Sequence, residues 1–300
     1  MSIGNGPLMV SITPANGGAP IRLEPTGYAP LNLLEGVEGL GIPAVEHKTG
    51  TRPGGHGALL RATQVKEREV FLPLLLWGHS QERVLQAWGE LIDAVSPTEG
   101  LATLTVQLPG GTPRMLQVAY KDGLKGDFGE KYRKTWMKAG LTLVAFDPFF
   151  RGAETVVSWA PKAKDPKHFI STTQPFFPVV LSPSAVGEST EVMIGGQYPV
   201  KPVWRITGPV TDVKVTHVET GAFFLVHETF KPGEFMVIDV ASMDVFDSEH
   251  TRGELWDRMD EKSTLFELSP GKNTVRVEAA NMTEASAIQL VYQPAYLRGI

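Results

Sequence analysis

Turn residues interrupt this chain so often that few long elements can form. Glycine occurs 31 times and proline 23 times in 300 residues. Glycine reaches positive φ without strain, and proline fixes φ while removing a donor, so both end regular structure. Between them lie short runs in which apolar and polar residues alternate, the pattern of antiparallel sandwiches and barrels. The sequence therefore predicts a mainly β protein.

One segment breaks the pattern. From Gln81 to Ser96 the apolar residues are Val84, Leu85, Trp88, Leu91, Ile92 and Val95, a spacing that puts them on one face of an α-helix. Ser80 stands where its hydroxyl can accept a free N–H of the first turn. Glu82 suits the positive end of the helix, and Pro97 cannot continue it. A hairpin follows, with Leu104, Val106 and Leu108 alternating in one strand and Leu116, Val118 and Tyr120 in the other. Pro109 to Pro113 forms its turn. Val70–Trp77 reads as a further strand, pushed by Pro73 towards an edge or a bulge, and Thr135–Phe146 as another.

At this length two domains are expected. The N-terminal one, residues 1–155, is a β-sandwich with one α-helix and a protruding β-hairpin. Residues 156–174 form a proline-rich linker, and residues 175–300 a second sandwich. Its strands are expected at Glu191–Ile194, Val203–Ile206, Asp212–Val218, Ala222–Val226, Phe235–Val240, Thr274–Ala279 and Ala287–Tyr292.

Composition narrows the partners. A net charge of −5 and a pI near 5.8 argue against a general affinity for nucleic acid, which needs basic stripes. The basic run from Lys121 to Lys138 is broken by Asp122, Asp127 and Glu130. With no cysteine, disulfides, thiol nucleophiles and cysteine-ligated zinc are excluded. No apolar run is long enough for a membrane span, and no signal peptide is visible, so the protein is expected to be made in the cytoplasm.

Each candidate for chemistry has a plainer reading. Gly78-His79-Ser80-Gln81-Glu82 begins like a nucleophile elbow, but Glu82 replaces the required last glycine, and Ser80 serves as a helix cap. His217 and His227 lie in or beside strands, without metal-ligand spacing. Asp239, Asp244, Asp247, Asp257 and Asp260 could include a hydrolytic carboxylate pair, yet they read better as a solvated loop. Arg52-Pro53-Gly54-Gly55-His56-Gly57 lacks the phosphate-binding Lys-Ser/Thr and reads as a loop that orders on assembly. Trp204, Phe223, Phe224 and Tyr198 could stack on a sugar, although such aromatics in a sandwich are more often core. No catalytic, cofactor-binding or metal residue is assigned, and no cofactor is expected.

A family resemblance rests on the order of the turns. Gly195-Gly196-Gln197-Tyr198-Pro199-Val200-Lys201-Pro202-Val203-Trp204-Arg205-Ile206-Thr207-Gly208-Pro209 is followed by Thr220-Gly221. Pro232-Gly233-Glu234-Phe235-Met236-Val237-Ile238-Asp239 comes next, and then Leu268-Ser269-Pro270-Gly271-Lys272-Asn273-Thr274-Val275. This resembles the distal tail protein family of siphophages. The helix, the Pro109–Pro113 hairpin and the strand ending at Asp147-Pro148 agree with that family's N-terminal half.

The resemblance implies a structural virion protein at the distal end of a phage tail, made in the bacterial host. Such proteins form a homohexameric ring through the N-terminal domain, between the tail tube and the tail tip or baseplate. Their C-terminal, galectin-like or jelly-roll domain points outward, towards receptor-binding proteins or a host-surface glycan. DNA passes through the lumen without specific binding. The implied partners are further copies of the chain, the tail tube protein and tail-associated proteins. Exposed strand edges make natural ring joints, and the Leu101–Tyr120 hairpin and Val70–Trp77 are the expected ones. The alternative is a carbohydrate-binding sandwich protein for cell-surface adhesion, with a glycoside hydrolase behind it.

Overall fold

A computed structural model describes residues 7–25, 29–126, 135–160, 186–247 and 255–300. The chain divides into two units. Unit 1 contains residues 1–153 together with 295–300, and unit 2 is residues 154–294. Unit 2 is therefore inserted into the sequence of unit 1. Two expected boundaries differ: Thr155–Trp159 is a strand of unit 2 rather than linker, and the last six residues belong to unit 1. Residues 161–185, which hold most of the expected linker and the start of the expected second domain, lie outside the described residues.

In unit 1 the chain runs through β1 (Met9–Thr13), β2 (Ile21–Leu23), β3 (Leu31–Leu33), β4 (Val45–Thr51), β5 (Ala58–Val65) and β6 (Arg68–Trp77). Then come α1 (Gln81–Ala94), β7 (Ala102–Gln107), β8 (Arg114–Asp122), β9 (Trp136–Ala145) and β10 (Phe150–Arg151). Unit 2 contains β11 (Thr155–Trp159), β12 (Val186–Ile194), β13 (Val203–Thr207), β14 (Val210–His217), β15 (Phe223–Phe230) and β16 (Phe235–Asp239). It continues through β17 (Asp244–Phe246), β18 (Gly271–Ala280) and β19 (Ala287–Tyr292), and β20 (Ala295–Tyr296) returns to unit 1.

Unit 1 is built on one continuous sheet in the order β2-β1-β7-β8-β9-β6-β3, with β10 and β20 beside β8. Strand β8 joins its two halves: Arg114–Val118 pairs with β7, and Ala119–Asp122 pairs with β9 past an irregularity after Tyr120. Alternate residues of both halves meet in one apolar cluster, including Ile12, Leu104 and Val106 from one and Leu72, Leu74 and Leu143 from the other. Helix α1 adds Val84, Ala87, Trp88, Leu91 and Ala94 to the same core. A fully buried leucine or valine contributes about 1.5–3 kcal/mol, so the amphipathic face is what holds this helix in place.

The face of α1 is narrower than its spacing predicts. Leu85 and Ile92 are 39% and 40% exposed. At about 100° per residue each lies a third of a turn from Val84 or Leu91, beyond the buried stripe. Pro73 is also a difference, for it sits inside β6, opposite Gly140 of β9. Its carbonyl accepts Leu34 N at 2.8 Å on the β3 side. The N and C=O of a residue in an antiparallel strand point the same way, so the missing donor faces the place where β3 has ended. No bond to β9 is lost.

Unit 2 is a sandwich of a five-stranded sheet, β11-β19-β13-β16-β17, and a four-stranded one, β12-β18-β14-β15. All seven strands expected in this half form, several extended by a few residues. Trp204 on β13 is fully buried and meets Phe224 on β15 edge to face at 5.6 Å. Polar links also cross between the sheets. Trp159 Nε1 donates to Thr190 Oγ1 at 2.8 Å, and the Tyr292 hydroxyl donates to the carbonyl of Met193 at 3.2 Å.

Candidate assembly surfaces

A protein that assembles needs surfaces unfinished by its own chain, and unit 1 has one in β4 and β5. Among the described residues these strands pair only with each other, from Val45↔Val65 to Thr51↔Ala58, with an irregularity between Lys48 and Thr49. Nearly every residue of the ribbon is exposed, including Leu59 at 43% and Leu60 at 63%. Arg52 to Gly57 forms its tip, so that glycine-rich stretch is the end of a hairpin arm. Lys48, Arg52 and Arg61 stand against Glu46 on this segment, which is net basic on a net acidic chain.

The expected joints lie elsewhere and are closed. The β7–β8 hairpin forms as predicted. Its β7 edge is covered by β1 from Met9 to Thr13, and β8 is flanked by β9 and β10. Strand β6 is paired along its whole length with β9, and on its other side with β3 and Glu38. Where they are paired their backbone groups are already used, so the open edges expected from the sequence are largely covered within the chain. The protruding hairpin is β4–β5.

A second feature is how unit 1 holds its C-terminal segment. Arg68 is 1% exposed, and among the described residues its hydrogen-bond acceptors are backbone carbonyls. Its Nε donates to Pro148 O at 2.7 Å, and Nη1 donates to Gly39 O and Gly41 O at 2.6 and 2.7 Å. Its Nη2 donates to Leu297 O at 2.6 Å, and the guanidinium lies 4.8 Å from the Phe150 ring centre. Burial pushes the Arg68 pKa down to about 10, still far above neutrality. Nearby, Arg114 Nη1 donates to Arg298 O at 2.6 Å, with its guanidinium 4.1 Å from the Tyr296 ring centre. Burial lowers the Arg114 pKa as well.

The candidate chemical residues are occupied in structural roles. Ser80 Oγ accepts Arg83 N at 3.3 Å as the cap of α1, while His79 packs edge-on against Trp77. His217 is 5% exposed, with Thr220 Oγ1 at 2.7 Å from Nδ1 and Asn273 Oδ1 at 3.3 Å from Nε2. Asp239 Oδ1 accepts Ala241 N and Ser242 N in the turn before β17. It faces Asp244 across that pair of strands. Asp260 Oδ1 accepts Lys262 N at 2.8 Å, and Oδ2 lies 3.3 Å from His227 Nε2. That backbone bond first, and His227 second, lower the Asp260 pKa. Asp257 lies in a single 3-10 turn, and Asp247 ends the described stretch before residue 255. Trp204 and Phe224 are core, leaving Tyr198 and Phe223 nearer the surface.

The arm was missed in the sequence because neither of its faces is buried. Without a buried face there is no apolar alternation to read. The one available signal was Arg52–Gly57 itself, a turn-rich hexapeptide between two threonine-containing runs.

Fold and surfaces together define an antiparallel β protein whose polar residues serve turns and caps and whose unit 1 carries an unpartnered arm. Residues 195–296 match the family model described as the siphovirus-type tail component, C-terminal domain, and the resemblance read from the turns is borne out. The whole chain has the fold of the crystal structure of the SPP1 Dit (gp 19.1) protein, described there as a paradigm of the hub adsorption apparatus in phages infecting Gram-positive hosts. That likeness has a TM-score of 0.64 at 14% identity, over 95% of this chain and 98% of that one. A chain of the phage p2 baseplate in its activated conformation, solved with Sr and with Ca, matches at TM-score 0.53 and 13% identity. It spans 96% of this chain and 98% of that one. No curated protein matches by sequence.

Proposed function

We propose that this protein is the distal tail hub of a siphophage-type virion, a structural component at the end of the tail. Copies of unit 1 close a homohexameric ring between the tail tube and the tail tip or baseplate. Unit 2 presents its sandwich outward as a platform for receptor-binding or adhesion components. DNA crosses the lumen without being held, in keeping with the net charge of −5, since like charge weakens phosphate binding. The protein works by assembling, without catalysis.

One observation carries this reading: the family match over residues 195–296 falls on the run of turns that carries the resemblance, within a chain that follows the hub fold over 95% of its length. The arm supports it physically. A ring needs a heterologous contact, in which one patch meets a different patch on the next subunit, and an arm is a patch of that kind. The adhesion alternative is weakened, because two of its four aromatics, Trp204 and Phe224, are fully buried. Negative-stain electron microscopy of the purified chain, with mass measured on the same sample, tests the proposal. Six-fold rings with an open centre are expected. Monomers throughout, with glycan binding by the intact chain, would put the adhesion reading in its place.

A further inference from the structure

The outward side of α1 carries a glycine that nothing among the described residues explains. Gly89 lies inside the helix, where glycine costs about 1 kcal/mol relative to alanine. Close packing usually accounts for such a residue, yet a Cβ built there meets nothing within 4 Å. Leu85 and Ile92, one turn to either side, are exposed apolar residues on the same surface. The helix carries Glu82, Glu90 and Asp93 against Arg83. Glu90 lies 3.6 Å from Arg83, and Glu82 and Asp93 form no ion pair among the described residues. This is a shallow apolar strip over bare helix backbone, edged with carboxylates.

The β4–β5 arm has the complementary features. Leu59 and Leu60 are exposed. The Arg61 side chain lies across Gly50, whose added Cβ would come within 2.3 Å of Arg61 Nε. Gly50 pairs with Leu59, so a cation shares the ribbon face of Leu59, while Leu60 points to the other face. Lys48 and Arg52 add two more cations, and none of the three forms an ion pair among the described residues. A two-stranded ribbon is marginal alone in water and gains stability by covering its apolar residues. Within its own unit α1 packs on β2, β6 and β9, and the open space over Gly89 shows that the arm does not cover it in cis.

We propose that the arm of one copy lies on α1 of the next by its Gly50–Leu59–Arg61 face, with Leu59 over the Leu85–Gly89–Ile92 strip and Lys48 and Arg61 towards Glu82 and Asp93. The contact rests on the ring reading and names the surfaces that close the ring. Arm and helix are different patches, so the contact is heterologous and generates rings rather than two-fold dimers. Gly89 lets the ribbon approach the helix backbone closely.

The full chain provides a test in which fold and assembly move in opposite directions. Gly89→Ala should raise the melting temperature, because alanine is the better helix former. It should also reduce ring formation about tenfold in native mass spectrometry, as expected for a loss near 1.4 kcal/mol. Since the chain has no cysteine, Leu59→Cys combined with Gln86→Cys should give a disulfide ladder beyond the dimer on mild oxidation. Either substitution alone should stop at the dimer. Reversal of charge on the arm (Lys48→Glu with Arg61→Glu) should abolish rings, and adding Glu82→Lys with Asp93→Lys should restore them. Rings that form normally with Gly89→Ala, and no ladder, would overturn the arm-on-helix contact while leaving the ring reading intact. A wild-type chain that stays monomeric at high concentration would overturn both.

Discussion

Arg68 and Leu297 are 229 positions apart in sequence, yet the arginine Nη2 donates to the leucine carbonyl at 2.6 Å. The bond ties the start of β6 in unit 1 to a segment that follows the whole of unit 2. Phe150↔Tyr296 and Arg151↔Ala295 pair beside it, and Gly299 N donates to Leu40 O at 2.8 Å. Unit 1 is thus completed by residues made after its own 153 and after those of unit 2.

Replacing Arg68 with methionine should cost about 3–5 kcal/mol, measured by urea denaturation, because buried carbonyls lose their donors. Lysine keeps the charge but not the planar fork that reaches Pro148, Gly39, Gly41 and Leu297, so Arg68→Lys should fall between the two. The folded pKa of about 10 lies below the ordinary arginine value. Between those values the unfolded chain binds more protons, and the desolvation cost of Arg68 is relieved as pH rises. Below that window the group stays charged in both states and adds no pH dependence. A methionine variant as stable as wild type would show that the clamp contributes nothing.

Deleting residues 295–300 should lower the unfolding temperature of unit 1 and leave unit 2 folded. The deletion removes β20, one of the four acceptors of Arg68 and the acceptors of Arg114, whereas the paired sheets of unit 2 end at Tyr292. Calorimetry of the truncated chain should resolve two transitions, the lower one shifted down by several degrees. A single transition at the wild-type temperature would refute the dependence.

How much of this was legible in the sequence follows from where each signal lies. Helix α1, with its Ser80 cap, was legible because its period, cap and terminating proline all fall within one stretch of sequence. Strands β13, β16 and β19 were legible because burial on one face imposes alternation. The arm was not, since both of its faces are exposed. The return of β20 to β10 leaves no local trace, because its partner lies far away in sequence. Thr155–Trp159 carries a strand's residues, but its partner β19 is more than a hundred positions on, and the proline-rich stretch after it suggested a linker. Assembly could be read from the order of turns, while the surface that achieves it could not.

Ser80→Ala should cost about 0.5–2 kcal/mol by removing the acceptor of Arg83 N. Ser80→Asp should recover most of the loss, because a carboxylate also accepts that bond and suits the positive end of the helix. The pair of variants separates a cap from a nucleophile. An aspartate variant as unstable as the alanine one would argue against the cap.

Glu219 gives unit 2 a dependence on acid. It lies in the turn joining β14 and β15, and its two carboxylate oxygens accept Thr274 N at 2.8 and 3.0 Å at the edge of β18. His217 Nε2 is 3.3 Å from the same carboxylate. The bonds from Thr274, with a smaller contribution from His217, hold the Glu219 pKa below its ordinary 4.5. A carboxylate with a depressed folded pKa gives stability that is complete above the unfolded value and lost as pH falls through the folded one. Thermal melts of wild type and Glu219→Gln should therefore differ most near neutrality and converge as pH falls through the depressed folded value. The glutamine keeps an acceptor for Thr274 N but loses the charge. A gap that persisted unchanged into acid would mean that side-chain shape, rather than the ionised carboxylate, holds the turn against β18.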